Sequence, residues 1–316
     1  MPRQSAESRS EAALHALNAL EPIAPRTEQL VVLLKALNDK SYLVVARAAT
    51  LAGERLLHEL IADLMYAYAR FLQDPVKRDP TCKAKQAIAR ALVQLECQDL
   101  GFYRAGIAYR QLEPVWGGRA DTATDLRCSC AMGLAASGHP RAVAELTGLL
   151  NDPEAPVRSG AARAISCGNP LEAEAVLRLK VHVGDSEPSV TGECFSALLI
   201  IEPAHSLAFV AGFLGAADEA LREYAALALG ESRLPEALVL LRAAWDLAVE
   251  TRARDALIRA AALHRSEAAF EWLLAIIASG AAGHAQAAID ALAVYERNSK
   301  LIGQIQAARA RRTEPL

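Results

Sequence analysis

The chain has 316 residues and a formal net charge of −3, and 53 % of it is hydrophobic although only 5 % is aromatic. Ala and Leu supply most of the apolar content, and both lose little on entering a helix, so an α-rich fold is expected. The near-balanced charge excludes a global pull toward nucleic acid or anionic membrane, and no apolar run approaches the roughly 18–20 residues that span a bilayer. The first ten residues lack the apolar core of a signal peptide. Six cysteines in so long a chain do not read as a disulfide framework. The expectation is a soluble, cytoplasmic protein.

In chain order, residues 5–20 predict a polar-faced capping helix, broken by the prolines at 22 and 25. A frame then recurs. With Val157 as position zero, it places an apolar residue at zero, often Arg or Lys at +1, small residues at +4 and +5, and apolar or small residues at +7 and +8. It fits at Val44, Ala84, Leu126, Val157, Val190, Leu221, Ala253 and His284. The first two steps are the longest, and from Leu126 onward the spacing settles at about 32 residues, a period within the range of helical-repeat arrays. At 100° per residue, positions 0, +4, +5, +7 and +8 share one helix face and +2 and +6 lie opposite. Pairs such as Ala48/Ala49, Ala161/Ala162 and Ala225/Ala226 allow close approach of neighbouring helices. Amphipathic segments precede the frames at 27–37, 141–150, 171–181, 206–214, 235–247 and 268–277, so the unit is helix, turn, helix.

Asp39, Asp79, Asp121, Asp152 and Asp185 stand five residues before position zero and are expected to cap the first turn. Pro80 and Pro153 are expected at the first helical position. Two units depart from the period. One has a long first helix at 55–72 and a loop at 73–80; the other has a first helix at 100–111 and a loop at 112–121. A closing helix at 301–312 ends in a basic tip. The expected organisation is a single domain, 1–316, with an N-terminal cap at 1–25, repeats at 26–298 (longer and irregular at 55–138), and a C-terminal cap and basic tail at 299–316.

The run from Asp152 to Ile165, Asp-Pro-x-x-x-Val-Arg-x-x-Ala-Ala-x-Ala-Ile, and the run beginning at Leu221 resemble HEAT repeats of the short kind found in bilin-lyase-like proteins. The resemblance covers roughly 27–298. It implies a right-handed α-solenoid of about eight stacked helix–turn–helix repeats whose second helices line the concave face. It also brings an alternative function, because members of that class attach chromophores to proteins. The matching residues are packing residues, which specify fold and not activity.

Chemistry-bearing patterns are few. Cys128 and Cys130 form only a C-x-C, and Cys130 and Cys194 occupy the +4 slot that Ala fills elsewhere, as a small hydrophobe does. The His residues are scattered without metal-ligand spacing. Gly117-Gly118 has no phosphate-loop context, and no nucleophile elbow occurs. No catalytic residue, metal or cofactor is expected. The +1 ladder of Lys85, Arg127, Arg158, Arg222 and Arg254 reads as structural, with Asp79/Lys85, Asp121/Arg127 and Asp152/Arg158 spaced six apart as exposed pairs worth about 0–1 kcal/mol each.

Candidate contact residues come from two places. The +6 row supplies Arg90, Met132, Arg163 and Arg259, in a groove more acidic toward Glu223, Asp255 and Asp290. The aromatic-rich insertion supplies Trp116, Tyr109 and Arg119, of the types that dominate interface hot spots. The leading reading is a non-catalytic scaffold that binds a protein or peptide through its concave groove and inserted loops. The alternatives are an enzyme of the bilin-lyase-like class and, less in keeping with the charge, a DNA-binding helical-repeat protein related to alkylpurine glycosylases, for which Trp245, Asp246 and Trp272 are the residues to compare.

Overall fold

Every one of the eight frames is a helix. In a computed structural model describing residues 6–312, position zero is the third helical residue in seven of them and the second in the frame at Ala84. The fold is an all-α solenoid of stacked helix pairs, and the chain divides into two compact units, Met1–Asn169 and Pro170–Leu316.

The first unit runs α1 (Ala6–Ala19), α2 (Arg26–Leu37), α3 (Tyr42–Glu54), α4 (Ile61–Phe71), α5 (Pro75–Arg78), α6 (Lys83–Gln94), α7 (Leu100–Ala108), β1 (Leu112–Val115), β2 (Gly118–Asp121), α8 (Thr124–Ala136), α9 (Ala142–Leu146) and α10 (Ala155–Ile165). The frame helices stack in sequence, α3 on α6, α6 on α8 and α8 on α10. Their small-residue face is fully buried: Ala48, Ala49, Ala89, Ala131, Ala161 and Ala162 are all 0 % exposed. The expected cap is present as α1, which packs on α3 through the buried Leu17; burying such a leucine stabilises by about 1.5–3 kcal/mol. Ser5, placed in that cap, lies outside the described residues.

The second unit runs α11 (Pro170–Val183), α12 (Pro188–Ile201), α13 (Pro203–Ala211), α14 (Glu219–Ser232), α15 (Pro235–Leu247), α16 (Thr251–His264), α17 (Glu267–Ser279), α18 (Ala282–Leu292) and α19 (Ser299–Ala310). Here α12, α14, α16 and α18 stack in turn. Gly230 of α14 lies against the main chain of Ala260 on α16, where a β-carbon would overlap the Ala260 carbonyl. The unit closes on α19, whose Leu301 and Ala308 join the Ile258, Leu273 and Leu292 core.

Four local expectations are corrected. Residues 55–72 are not one helix: Leu56 adopts φ 50°, the Leu57 amide closes back on Ala52, and a 3-10 turn at His58–Leu60 precedes α4. Four of the five evenly placed aspartates sit further from the helices than a cap, whereas Asp79 accepts from the first-turn amides of Ala84 and Lys85 in α6 as expected. Asp39, Asp121, Asp152 and Asp185 accept from the amide two residues on, at 2.7–3.0 Å; this closes an Asx turn before the helix starts. Pro153 therefore precedes α10, with Pro156 inside its first turn, and Pro80 opens a 3-10 turn ahead of α6. Finally, 112–121 is a two-stranded antiparallel hairpin, with Leu112 opposite Asp121 and Val115 opposite Gly118.

Candidate functional site

The +1 ladder is structural, but its pairs are not the exposed ones expected. Lys85 and Asp79 are both 0 % exposed and lie 2.7 Å apart. Arg127, also 0 % exposed, meets Asp121 at 2.7 Å and Asp152 at 3.3 Å. In the other frames the cation reaches main-chain oxygens, and Arg222 also pairs with Glu250. Arg158 donates to Asp152 O at 2.8 Å, Arg222 to Ala216 O at 2.8 Å and Arg254 to Ala248 O at 3.0 Å. Each acceptor is the C-cap of the preceding helix or 3-10 turn. A guanidinium there satisfies a carbonyl left over at the helix end and opposes the negative end of its dipole.

Where the hairpin enters the first unit, these pairs merge into a buried polar cluster. The Asp79 carboxylate accepts from the amides of Ala84 at 2.7 Å and Lys85 at 3.1 Å, besides the Lys85 ammonium. Gln111, 2 % exposed, donates through its side-chain amide to Asp79 O at 2.8 Å and to Glu113 Oε1 at 2.7 Å. Glu113 Oε1 also takes the Thr81 amide at 2.6 Å and the Thr122 hydroxyl at 2.8 Å. Burial pushes the Glu113 carboxyl up, but those three donors more than offset it and hold it below the usual range. Asp121 behaves likewise: burial raises it, while the Ala123 and Gln111 amides and Arg127 bring it down on balance. Arg110 links Asp121 and Asp152 from the exposed side, at 3.4 and 2.9 Å.

The cluster fixes the base of the hairpin and leaves its tip in solvent. Val115 and Leu112 are half exposed and Trp116 is completely exposed, at 104 %. Gly117 follows with φ 89°, the left-handed conformation that the two-residue turn requires at this position. Arg119 stands exposed opposite Pro114. Tyr109, in contrast, belongs to the cluster. Its hydroxyl donates to Gln111 at 3.0 Å, its carbonyl accepts from Arg127 at 2.9 Å, and burial pushes its phenol up to about 12.

Every member of the +6 row is at least partly exposed. In the first unit Arg90, Met132 and Arg163 stand on the successive helices α6, α8 and α10. In the second unit Arg259 is bound to Glu223 of the neighbouring α14 at 2.7 Å, so it is engaged within the fold. Trp245 and Trp272 sit on first helices, as expected, packed edge to face at 5.8 Å under Arg254 and Arg242.

No family model matches the chain. No curated protein matches it either. Among solved structures, it is similar to the complex of CpcE and CpcF of phycocyanin lyase from Nostoc sp. PCC7120, with 15 % identity, 92 % of this chain and 95 % of that chain covered, and a TM-score of 0.38. Human deoxyhypusine hydroxylase in complex with glycerol aligns at 18 % identity over 84 % and 92 % of the two chains, TM-score 0.32. An engineered protein aligns at 17 % identity over 96 % and 89 %, TM-score 0.37. Likeness at this level transfers neither activity nor partner.

Sequence reasoning missed Gln111, Glu113 and Thr122. The available signal was the short run Leu112-Glu-Pro-Val-Trp-Gly-Gly-Arg, two small extended segments around a Trp-Gly turn, with a glutamate at the one strand position that faces inward. Among the described residues no group of His, Cys, Asp and Glu is arranged to hold a metal ion, and no helix is long and apolar enough to cross a membrane.

Proposed function

We propose that this protein is a non-catalytic interaction scaffold that docks a protein or peptide on its 112–121 hairpin, with Trp116 as the anchor. Arg119 and the +6 side chains of Arg90, Met132 and Arg163 are further contacts in this reading, which takes the chain as one cytoplasmic scaffold without metal or cofactor. The observation that carries it is the contrast within one hairpin. The 112–121 segment interrupts a regular repeat, its base is held by a buried carboxylate that accepts three hydrogen bonds, and the indole at its tip is completely exposed. A rigid base under an exposed aromatic removes the ordering cost of binding, and buried Trp anchors are among the strongest interface contributors. A photo-crosslinking residue placed at 116 in the native cell is expected to yield one discrete adduct that the same residue at Lys300 does not. A featureless product at both positions refutes the reading.

The alternative reading, an enzyme of the bilin-lyase-like class, rests on the resemblance of the repeat runs at Asp152–Ile165 and from Leu221. Mixing the protein with a bilin and an acceptor subunit decides the matter. Covalent colour on the acceptor establishes the lyase reading and its absence removes it.

A further inference from the structure

The second unit contains a cleft of about 600 Å³ bounded by α14, α15 and α16. Its origin is legible in the frame. Position zero is 0 % exposed at Val44, Val157 and Val190, whereas Leu221 and Ala253 are partly exposed. Ala226, Ala243, Ala244, Ala253 and Ala256 line the gap, where larger side chains would close it. Leu214, Leu240 and Leu247 complete an apolar wall. This volume and lining match those of small-molecule sites, which combine an apolar body with a few placed polar groups.

The mouth carries four carboxylates against three guanidinia. Arg222 pairs with Glu250 at 2.9 Å, Arg259 with Glu223 at 2.7 Å and Arg252 with Glu219 at 3.4 Å. Each cation is thereby matched. Asp255, one turn before Arg259 on α16, lines the cleft and makes no hydrogen bond or ion pair with the described residues. An anionic ligand would have to break an existing pair; a cationic one would meet the unmatched carboxylate. We propose that this cleft binds a small amphiphilic monocation, an apolar chain or ring bearing one ammonium group, with its body against Leu240 and Ala244 and its charge at Asp255.

Calorimetry on the full chain with octylamine, octanol and octanoate, each below its self-association concentration, tests this. The expected order is octylamine tightest, by about tenfold over octanoate, the size of one partly solvated charge contact. Asp255→Asn should weaken octylamine by about fivefold or more at the same contact and leave octanol unchanged. Ala243→Trp, at an exposed wall position, should abolish binding of all three with the melting temperature preserved. Equal affinities, a preference for octanoate, or no binding at all overturns the proposal. So does a change in sedimentation coefficient on Ala243→Trp, which would make the cleft a contact between copies of the chain. The hairpin takes no part in any of these measurements, so their outcome is independent of the partner-docking reading.

Discussion

Replacing Glu113 by alanine probes the base of the hairpin without touching its tip. One carboxylate oxygen accepts from the Thr81 amide, the Gln111 side-chain amide and the Thr122 hydroxyl, all within 2.8 Å. Hydrogen bonds to a charged group are worth about 1.5–3 kcal/mol each when broken in a buried setting. Thr81 is exposed and Thr122 half-exposed, so water re-solvates those donors at modest cost. Gln111, 2 % exposed, keeps its bond to Asp79 O but has one buried N–H left unpaired, and that bears most of the loss. The expected destabilisation is about 3 kcal/mol, which lowers the melting temperature by about 6–12 °C for a unit of this size. Glu113→Gln retains one acceptor oxygen and should cost about 1 kcal/mol. Urea and thermal unfolding of the three proteins measure the difference. If the stability of Glu113→Ala lies within about 0.5 kcal/mol of the parent, a surface-like value, the carboxylate does not fix the hairpin and the argument from rigidity fails.

Three further outcomes are expected. Lys85→Met removes the partner of a carboxylate that is 0 % exposed and should destabilise by about 3–5 kcal/mol, whereas Arg252→Ala, at a pair 81 % and 51 % exposed, should shift unfolding by less than about 0.5 kcal/mol; similar effects at both sites would contradict the burial argument. Stability should fall with acidification: Glu113 and Asp121 are depressed in the folded state, so the unfolded chain binds protons first, and their contribution is complete above the ordinary carboxylate values and lost as pH drops through the lower folded ones. Denaturant midpoints from pH 7 to pH 3 check this, and the drop should shrink in Glu113→Gln. Gly230→Ala forces a β-carbon into the Ala260 carbonyl and should cost about 1–3 kcal/mol, while Gly283→Ala, in open space on α18, should be neutral or stabilising by up to about 1 kcal/mol; circular-dichroism melts distinguish them.

The repeat was legible because its information is local. Helix periodicity and small-residue pairs recur within the span of a single helix, and Val44, Val157 and Val190 could be placed on a buried face from spacing alone. Residues whose role depends on another repeat were not. Lys85 and Arg127 read as surface cations until the inserted hairpin, arriving with Gln111 and Asp121, covers them. Asp152 read as a helix cap, yet its carboxylate receives Arg110 and Arg127 from 42 and 25 residues away. Trp116 stood out in sequence as an aromatic in the insertion, whereas the glutamate three positions earlier, which fixes the hairpin that carries it, shows its role only once the strands pair and turn it inward. Arg259 shows the opposite error: a +6 cation that looks available from its position in the frame is held by Glu223 of the next helix.

The central claim is that the hairpin presents Trp116 to a partner from a base that is already rigid. Its most direct measurement is calorimetric titration of the polypeptide captured at position 116 with the parent protein and with Trp116→Ala, beside their thermal melts. The account predicts an unchanged melting temperature, because the indole is completely exposed, and an affinity reduced by about 30-fold or more, the loss of a hot-spot residue worth at least about 2 kcal/mol. Equal affinity of the two proteins would contradict it.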